Sequence, residues 1–317
     1  MNRQEILVII VAYKGMSWLR KTLPALVHEG VVVFLRDNES DEGLQQLFQS
    51  LNPGSWEYTS GANIGFGRAN NEGLRWGLEN GFSKYFLLNQ DAWIEANDLV
   101  TWAHGISSSK STAIHCPIQL NWDNDFANPN FQNRYAPGWE DRTEPFEVPF
   151  VNAAAWYLTA STLKKVGGFN PAFFMYGEDR EYVWRLQQTG GQVWVHPNAK
   201  VRHASSAAVK SMDLRWVAQN KIRAFELHHY FNLRNDGKNL VHHGLLKRAL
   251  KRMWSKDYGQ LTLSGVLFLE EIRFYQYART HAKQLKAMRA LSDQDEVRHL
   301  GPIQINSEFS GCANFSG

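Results

Sequence analysis

The sequence predicts an α/β domain with a mostly parallel central sheet, followed by a helical C-terminal extension. Short β-branched runs at residues 6–11, 31–35 and 85–88 alternate with segments of helical spacing, which is the pattern of consecutive βα units. Beyond about residue 210 the pattern becomes helical, with clustered bases. At 317 residues and 44% hydrophobic content, the chain can bury a full α/β core and still supply a smaller second unit. A net charge of +3, from 34 basic and 31 acidic side chains, carries no nucleic-acid footprint. Cys116 and Cys312 lie far apart without metal-ligand spacing, so neither a disulfide framework nor a zinc site is implied, and a reducing compartment fits.

The first apolar run reaches Tyr13 and stops at Lys14, less than half the length needed to span a bilayer. A secretory segment is the competing reading. No small-residue cleavage pattern follows, so a buried first strand and a cytoplasmic location are expected. Trp18, Leu23 and Leu26 give helical spacing ahead of the second run, and a further helix is expected over residues 67–79 before a turn at Asn80 and Gly81. Residues 121–149, rich in Asn, Asp, Pro and aromatics, read as a long irregular loop or lid. Residues 150–159 read as a buried strand, 178–188 as a helix stopped by Gly190 and Gly191, and 192–196 as a strand ending at Pro197. The expected organisation is a nucleotide-binding and catalytic domain over residues 1–210, a helical extension over 211–300 and a loose tail over 301–317.

In open α/β sheets ligands collect beyond the carboxyl ends of the strands, so residues that follow each strand are the first candidates for chemistry. Asp37-Asn38-Glu39-Ser40 follows the second strand, where a carboxylate can accept from a base or ribose; the same residues also make an ordinary polar turn. The segment from Asn63 through Gly65, Gly67 and Arg68 to Asn70 has part of a Gly-x-Gly-x-x-Gly pattern, with Asn70 where the last glycine belongs. It can bring helix N–H groups or Arg68 to a diphosphate, or simply begin a helix. Asn89-Gln90-Asp91 places oxygen donors at the open end of a strand, as a hard cation held partly by substrate phosphates requires; an Asx turn is the alternative. Glu178 and Asp179 open a helix after an aromatic stretch, which suits the helix dipole but also a sugar face and a raised carboxyl pKa. His203 closes a strand-like segment and, like the ten other histidines, has no functional signal in isolation.

Taken in order, these pieces resemble a family 2 glycosyltransferase of the GT-A fold over about residues 6–203. The motifs that carry the resemblance are Val11-Ala12-Tyr13, the Asp37-Asn38-x-Ser40 turn, Asn63-x-Gly65 leading to Asn70, Leu88-Asn89-Gln90-Asp91, Gly167-Gly168-Phe169 through Glu178-Asp179, and Pro197 with His203. The resemblance implies a Rossmann-like sheet flanked by helices and a divalent metal, Mg²⁺ or Mn²⁺. It makes Asp91 a metal ligand, His203 a further metal or diphosphate ligand, and Asp37 a contact to the base or ribose. Asp179 becomes the catalytic base, with Glu178 shaping the acceptor site. The donor is expected against Ala12, Tyr13, Asn38, Asn63, Gly65, Arg68, Asn70, Asn89 and Gln90. The Asn-x-Asp motif looks most like a rhamnosyltransferase-type branch that builds bacterial surface polysaccharide. Two departures stand out: Asn89 replaces a first aspartate common among relatives, and Asn170 replaces the aspartate usual after Gly-Gly-Phe.

The expected reaction is inverting transfer from a nucleotide-diphosphate sugar, such as dTDP-rhamnose or a UDP-sugar, to a hydroxyl of a glycan or lipid-linked acceptor. A sugar-nucleotide nucleotidyltransferase is the first alternative, although Ala12-Tyr13-Lys14-Gly15-Met16 lacks the basic, glycine-rich phosphate loop such an enzyme wants. A catalytically silent sugar-nucleotide-binding protein is the second. Lys247, Arg248, Lys251 and Arg252, interleaved with Leu245, Leu246 and Leu250, suit peripheral contact with an anionic membrane at its inner face. The same face suits packing against the catalytic domain or a second subunit, and so a homo-oligomer.

Overall fold

The computed structural model describes residues 3–106 and 112–204, together with Leu227, Gln276, Thr280 and Leu300. The expected extension over 211–300 and the tail over 301–317 lie outside the described residues apart from those single positions, and so do Cys312 and the basic cluster at 247–252.

The chain begins with β1 (Arg3–Ala12), α1 (Met16–Ala25), β2 (Val31–Asp37), α2 (Glu42–Leu51), β3 (Glu57–Ser60), α3 (Phe66–Glu79) and β4 (Phe82–Asn89). β1 pairs in parallel with β2 on one side and β4 on the other, and β2 pairs in parallel with β3. This half is the βα repeat that the apolar runs predict. Leu7, Val8, Ile9 and Ile10 are all fully buried, because helices cover both faces and a strand buried on both sides does not alternate.

The second half comprises β5 (Ala92–Trp93), α4 (Ala96–Gly105), β6 (Ala113–Asn121), α5 (Pro129–Tyr135), β7 (Phe146–Val148), β8 (Ala155–Thr159), α6 (Ala160–Val166), α7 (Glu178–Gln188) and β9 (Gln192–His203). The nine-stranded sheet runs β3-β2-β1-β4-β8-β6-β9-β5, with β7 also on β9. β6 and β9 are parallel, whereas β8 is antiparallel to both β4 and β6, so one reversed strand joins the two parallel sets.

Three local expectations are corrected. Residues 121–149 contain α5, a turn of 3-10 helix at Trp139–Asp141 and β7. The signal for α5 was present: Asn128 accepts from the N–H groups of Asn130 and Phe131, and Pro129 stands where a missing N–H costs nothing. The strand expected over 150–159 begins only at Ala155, and residues 149–154 run without regular pairing. β9 does not end at Pro197. Its register against β6 shifts between Pro117 and Ile118, so Pro197 sits in a bulge and the strand resumes from Lys200 to His203.

The pairing aligns the site. Ala12 lies opposite Asp37, and Val11 opposite Asn89, so the last residues of three strands stand side by side at one edge of the sheet. The chain leaves β1 toward β2 on one side and later returns to β4 on the other, which puts the sheet's topological switch point at the ends of β1 and β4.

Candidate active site

At this end of the sheet the turn after β2 is built around Asp37. Its carboxylate is buried and accepts from the N–H of Glu39 at 2.9 Å, the N–H of Asp41 at 2.7 Å and the hydroxyl of Tyr58 at 2.8 Å. Burial, and then this hydrogen bond, raise the Tyr58 phenol well above its ordinary pKa. Ser40 takes a left-handed φ of 62° to let the chain fold over the carboxylate, and Asp41 then caps α2 through Gly43 and Leu44. Asn38 is tied to Ala12 by its N–H at 2.8 Å, while its buried Oδ1 has no protein partner.

Gln90 closes the gap between β1 and β4. Its Oε1 accepts from Tyr13 N–H at 2.8 Å and its Nε2 donates to Tyr13 C=O at 3.0 Å, so one side chain completes the backbone pairing that the strands have run out of. A Cβ at position 15 would stand 2.0 Å from Gln90 Oε1, which explains the glycine there. Tyr13 itself remains 44% exposed, with Lys14 Nζ 5.5 Å from its ring centre.

The glycine-bearing start of α3 packs against the loop before α7. Asn63 Oδ1 accepts from Gly65 N–H at 2.9 Å, and Phe66 N–H donates to Phe174 C=O at 3.0 Å. Arg68 Nε donates to Pro171 C=O at 2.7 Å, and Asn70 Nδ2 donates back to Phe66 C=O at 3.0 Å. Asn71, not singled out by the sequence, holds Phe169 by both ends of its amide, at 2.7 and 2.8 Å. Asn170 accepts from Ala172 N–H at 3.0 Å and is fully buried, so its substitution for aspartate belongs to a turn. The Gly167–Gly168 turn is further fastened by Arg185, which pairs with Glu181 at 2.9 Å and donates to the carbonyls of Val166 and Gly168. Leu300, from the far end of the chain, is buried against Gly168.

Glu178 and Asp179 begin α7 after two successive left-handed residues, Tyr176 at φ 67° and Gly177 at φ 86°. Glu178 is buried with Gly67 beneath it, and its Oε2 has no protein partner. Burial, and then the neighbouring Asp179 charge, push its carboxyl up to about 8. Burial raises Asp179 as well, against the backbone N–H of Arg180 at 2.8 Å and a backbone hydrogen bond from Ala153. Like charges this close titrate as a pair, so the ionisation of one carboxyl makes the other hold its proton more tightly.

Asp91 and His203 form the remaining cluster. His203 Nε2 lies 3.5 Å from Asp91 Oδ1, and His203 Nδ1 is 2.9 Å from Gln119 Oε1. Burial pushes the Asp91 carboxyl up, but the neighbouring His203, its own backbone and the Asn89 side chain together hold it below its ordinary value. The Asp91 C=O also accepts from Ala204 N–H at 2.9 Å, and Ala92 pairs with His203, so the two ligand candidates are registered by backbone.

Residues 152–154 join these clusters. Asn152 Oδ1 accepts from Gln119 Nε2 at 2.9 Å, and Gln119 holds His203. Ala153 bonds Asp179 through its backbone. Ala154 C=O accepts from Asn89 N–H at 2.9 Å. Three consecutive residues thus tie together the acidic pair, the end of β4 and the Asp91–His203 pair. Neither Gln119 nor Asn152 was singled out in the sequence; the available signal was a glutamine between the apolar Ile118 and Leu120.

The residues fit a divalent ion. A separation of 3.5 Å is long for a hydrogen bond, but it lies within the span of two ligand atoms each about 2.0–2.2 Å from one ion. Among the described residues no group of three or more His, Cys, Asp or Glu could hold a metal by itself. A two-residue site suits Mg²⁺ or Mn²⁺ completed by substrate phosphates and water.

No family model matches the chain. A hexosyltransferase of low-salt glycan biosynthesis, Agl10 of Haloferax volcanii, is 27% identical over 198 residues, which cover 58% of this chain. The chain spans 62% of that relative's length. Among solved structures, the mannosyltransferase PcManGT of Pyrobaculum calidifontis, with GDP-Man and Mn²⁺, superposes with a TM-score of 0.52 at 13% identity, covering 93% of this chain and 89% of that one. S. aureus TarS 1–349 with UDP-GlcNAc gives 0.51 at 12% identity, covering 90% of each chain. These likenesses establish the fold: a mixed α/β domain of the GT-A type, with a central sheet flanked by helices.

Proposed function

We propose that this chain is an inverting glycosyltransferase that moves a sugar from a nucleoside-diphosphate sugar to an acceptor hydroxyl. The observation that carries the reading is the convergence through residues 152–154 of Asp179, Asn89 and the Asp91–His203 pair at the carboxyl end of β4. The relatives' names support the same class: a hexosyltransferase by sequence, and structures with GDP-Man and UDP-GlcNAc.

In this reading the donor base lies along Tyr13, Asp37 and Asn38, and the diphosphate reaches toward Asp91. Asp37, already bound by three protein donors, shapes the base pocket and offers its remaining lone pair. Asp91 and His203 would hold Mg²⁺ or Mn²⁺, which when bound would supply Lewis-acid stabilisation of charge on the departing nucleoside diphosphate. Asp179 takes the proton of the acceptor hydroxyl as that oxygen attacks the anomeric carbon. Burial and the neighbouring Asp179 charge raise the Glu178 carboxyl, which favours a single negative charge on the pair. The acceptor is a glycan or a lipid-linked sugar, and family 2 membership with a rhamnosyltransferase-like donor choice is the narrower form of the proposal.

Asp179→Asn tests it. The variant is expected to keep its thermal shift with UDP-, GDP- or dTDP-sugars and Mn²⁺ while losing about 10²- to 10⁴-fold in transfer. Full turnover by that variant removes Asp179 from the base role. Pyrophosphate release from a nucleoside triphosphate would instead identify a nucleotidyltransferase.

A further inference from the structure

His203 can ligate an ion only through a ring nitrogen with a free lone pair, and a neutral imidazole has one such nitrogen. Which one it is follows from the partner of the other. Nδ1 faces Gln119 Oε1 at 2.9 Å, and an amide oxygen can only accept, so the proton belongs on Nδ1. The Gln119 amide is paired in turn with Asn152, its Nε2 donating to Asn152 Oδ1 at 2.9 Å. Gln119 is 2% exposed on β6, with little water to satisfy a reversed amide. Nε2 then turns its lone pair toward Asp91 Oδ1, 3.5 Å away. Two electron-rich atoms facing one another are unfavourable until a cation stands between them.

We propose that Gln119 and Asn152 are positioning residues, holding His203 in its Nδ1–H form so that Nε2 and Asp91 together present a divalent-cation site. The inference rests on the ion-binding reading above. Reversing the Gln119 amide would set its N–H against Nδ1, drive the proton to Nε2 and let His203 donate to Asp91. The pair would close on itself and lose the ion. Asn152 favours the first of these arrangements while its Oδ1 accepts from Gln119. A ligand histidine fixed through its second nitrogen typically owes about 10- to 100-fold of its metal affinity to that partner.

Long-range ¹H–¹⁵N spectra of the full chain without metal, with His203→Gln to assign the ring, report which nitrogen carries the proton. Wild type and Gln119→Glu, which keeps an acceptor, are expected to show Nδ1–H; Gln119→Leu and Asn152→Leu are expected to lose that preference. Mn²⁺ binding, measured by electron paramagnetic resonance alone and with UDP, should weaken about 10- to 100-fold in Gln119→Leu, by less in Asn152→Leu, and stay near wild type in Gln119→Glu. Circular dichroism identifies any variant that fails to fold, leaving the others to decide. Nε2–H in the wild type overturns the proposal, as does folded Asn152→Leu with both the wild-type spectrum and the wild-type Mn²⁺ affinity. Absence of Mn²⁺ binding by the wild-type chain, with Nδ1–H intact, overturns the ion reading and with it the purpose given to the relay.

Discussion

Gly65→Ala is expected to damage the site by moving the α3–α7 contact. Gly65 adopts φ 86° and ψ 171°, a region essentially restricted to glycine, which costs any other residue about 1–3 kcal/mol. A Cβ there would also lie 2.3 Å from the Phe174 carbonyl oxygen and 3.0 Å from its carbon. Phe174 would have to retreat by about 1 Å to reach ordinary contact, and the Phe66 N–H bond to that carbonyl, worth about 0.5–1.5 kcal/mol, would be lost. The sum is about 2–4 kcal/mol. Gly54→Ala is the control, because Gly54 has a similar φ of 93° and nothing within 4 Å of a new Cβ, so only the backbone cost applies. Urea denaturation measures both, and transfer assays are expected to show a loss on the order of 10²-fold in Gly65→Ala, since Phe174 leads into Glu178 and Asp179. Equal stabilities of the two variants within about 0.5 kcal/mol would refute the carbonyl clash. Unchanged transfer would refute the coupling to the acidic pair.

Glu178→Gln probes the buried carboxyl by pH. The Glu178 pKa rises from 4.5 in the unfolded chain to about 8 in the fold, so the native state binds the extra proton and stability falls as pH rises from about 4.5 through 8. The glutamine variant should flatten that fall and be the more stable protein at pH 8; parallel stability curves from pH 5 to 8 would contradict it. Asp91→Asn should abolish the increase in melting temperature that Mn²⁺ gives in the presence of UDP while leaving the metal-free melting temperature within a few degrees, and an undiminished Mn²⁺ effect would remove Asp91 from the ion site.

The parallel half of the sheet was legible because its signal is local. In β1, β2 and β4, runs of β-branched and aromatic residues bounded by polar turns are enough to specify strands, and the residues just past their ends are the candidates for the site. β6 was not legible. Its sequence Ala-Ile-His-Cys-Pro-Ile-Gln-Leu-Asn includes polar side chains that pass for surface residues, yet His115 and Gln119 are buried because they are paired, with His196 and His203 respectively. The glycines at the start of α3 allowed either a diphosphate contact or a plain helix start, and their local pattern carried no sign that Phe174 and Phe169 pack against Gly65 and Gly67.

What the sequence by itself determined is the order of the βα units and the residue types offered at each strand end, since periodicity and turn chemistry act over a few neighbours. Only the tertiary structure decided which of those residues meet. His203 and Gln119 are 84 positions apart, Gln119 and Asn152 are 33 apart, and neither separation leaves a trace in local pattern. They meet because β6 and β9 pair in parallel and the segment before β8 brings Asn152 to Gln119, and a buried polar group in that place is stable only with the partner that the pairing brings to it.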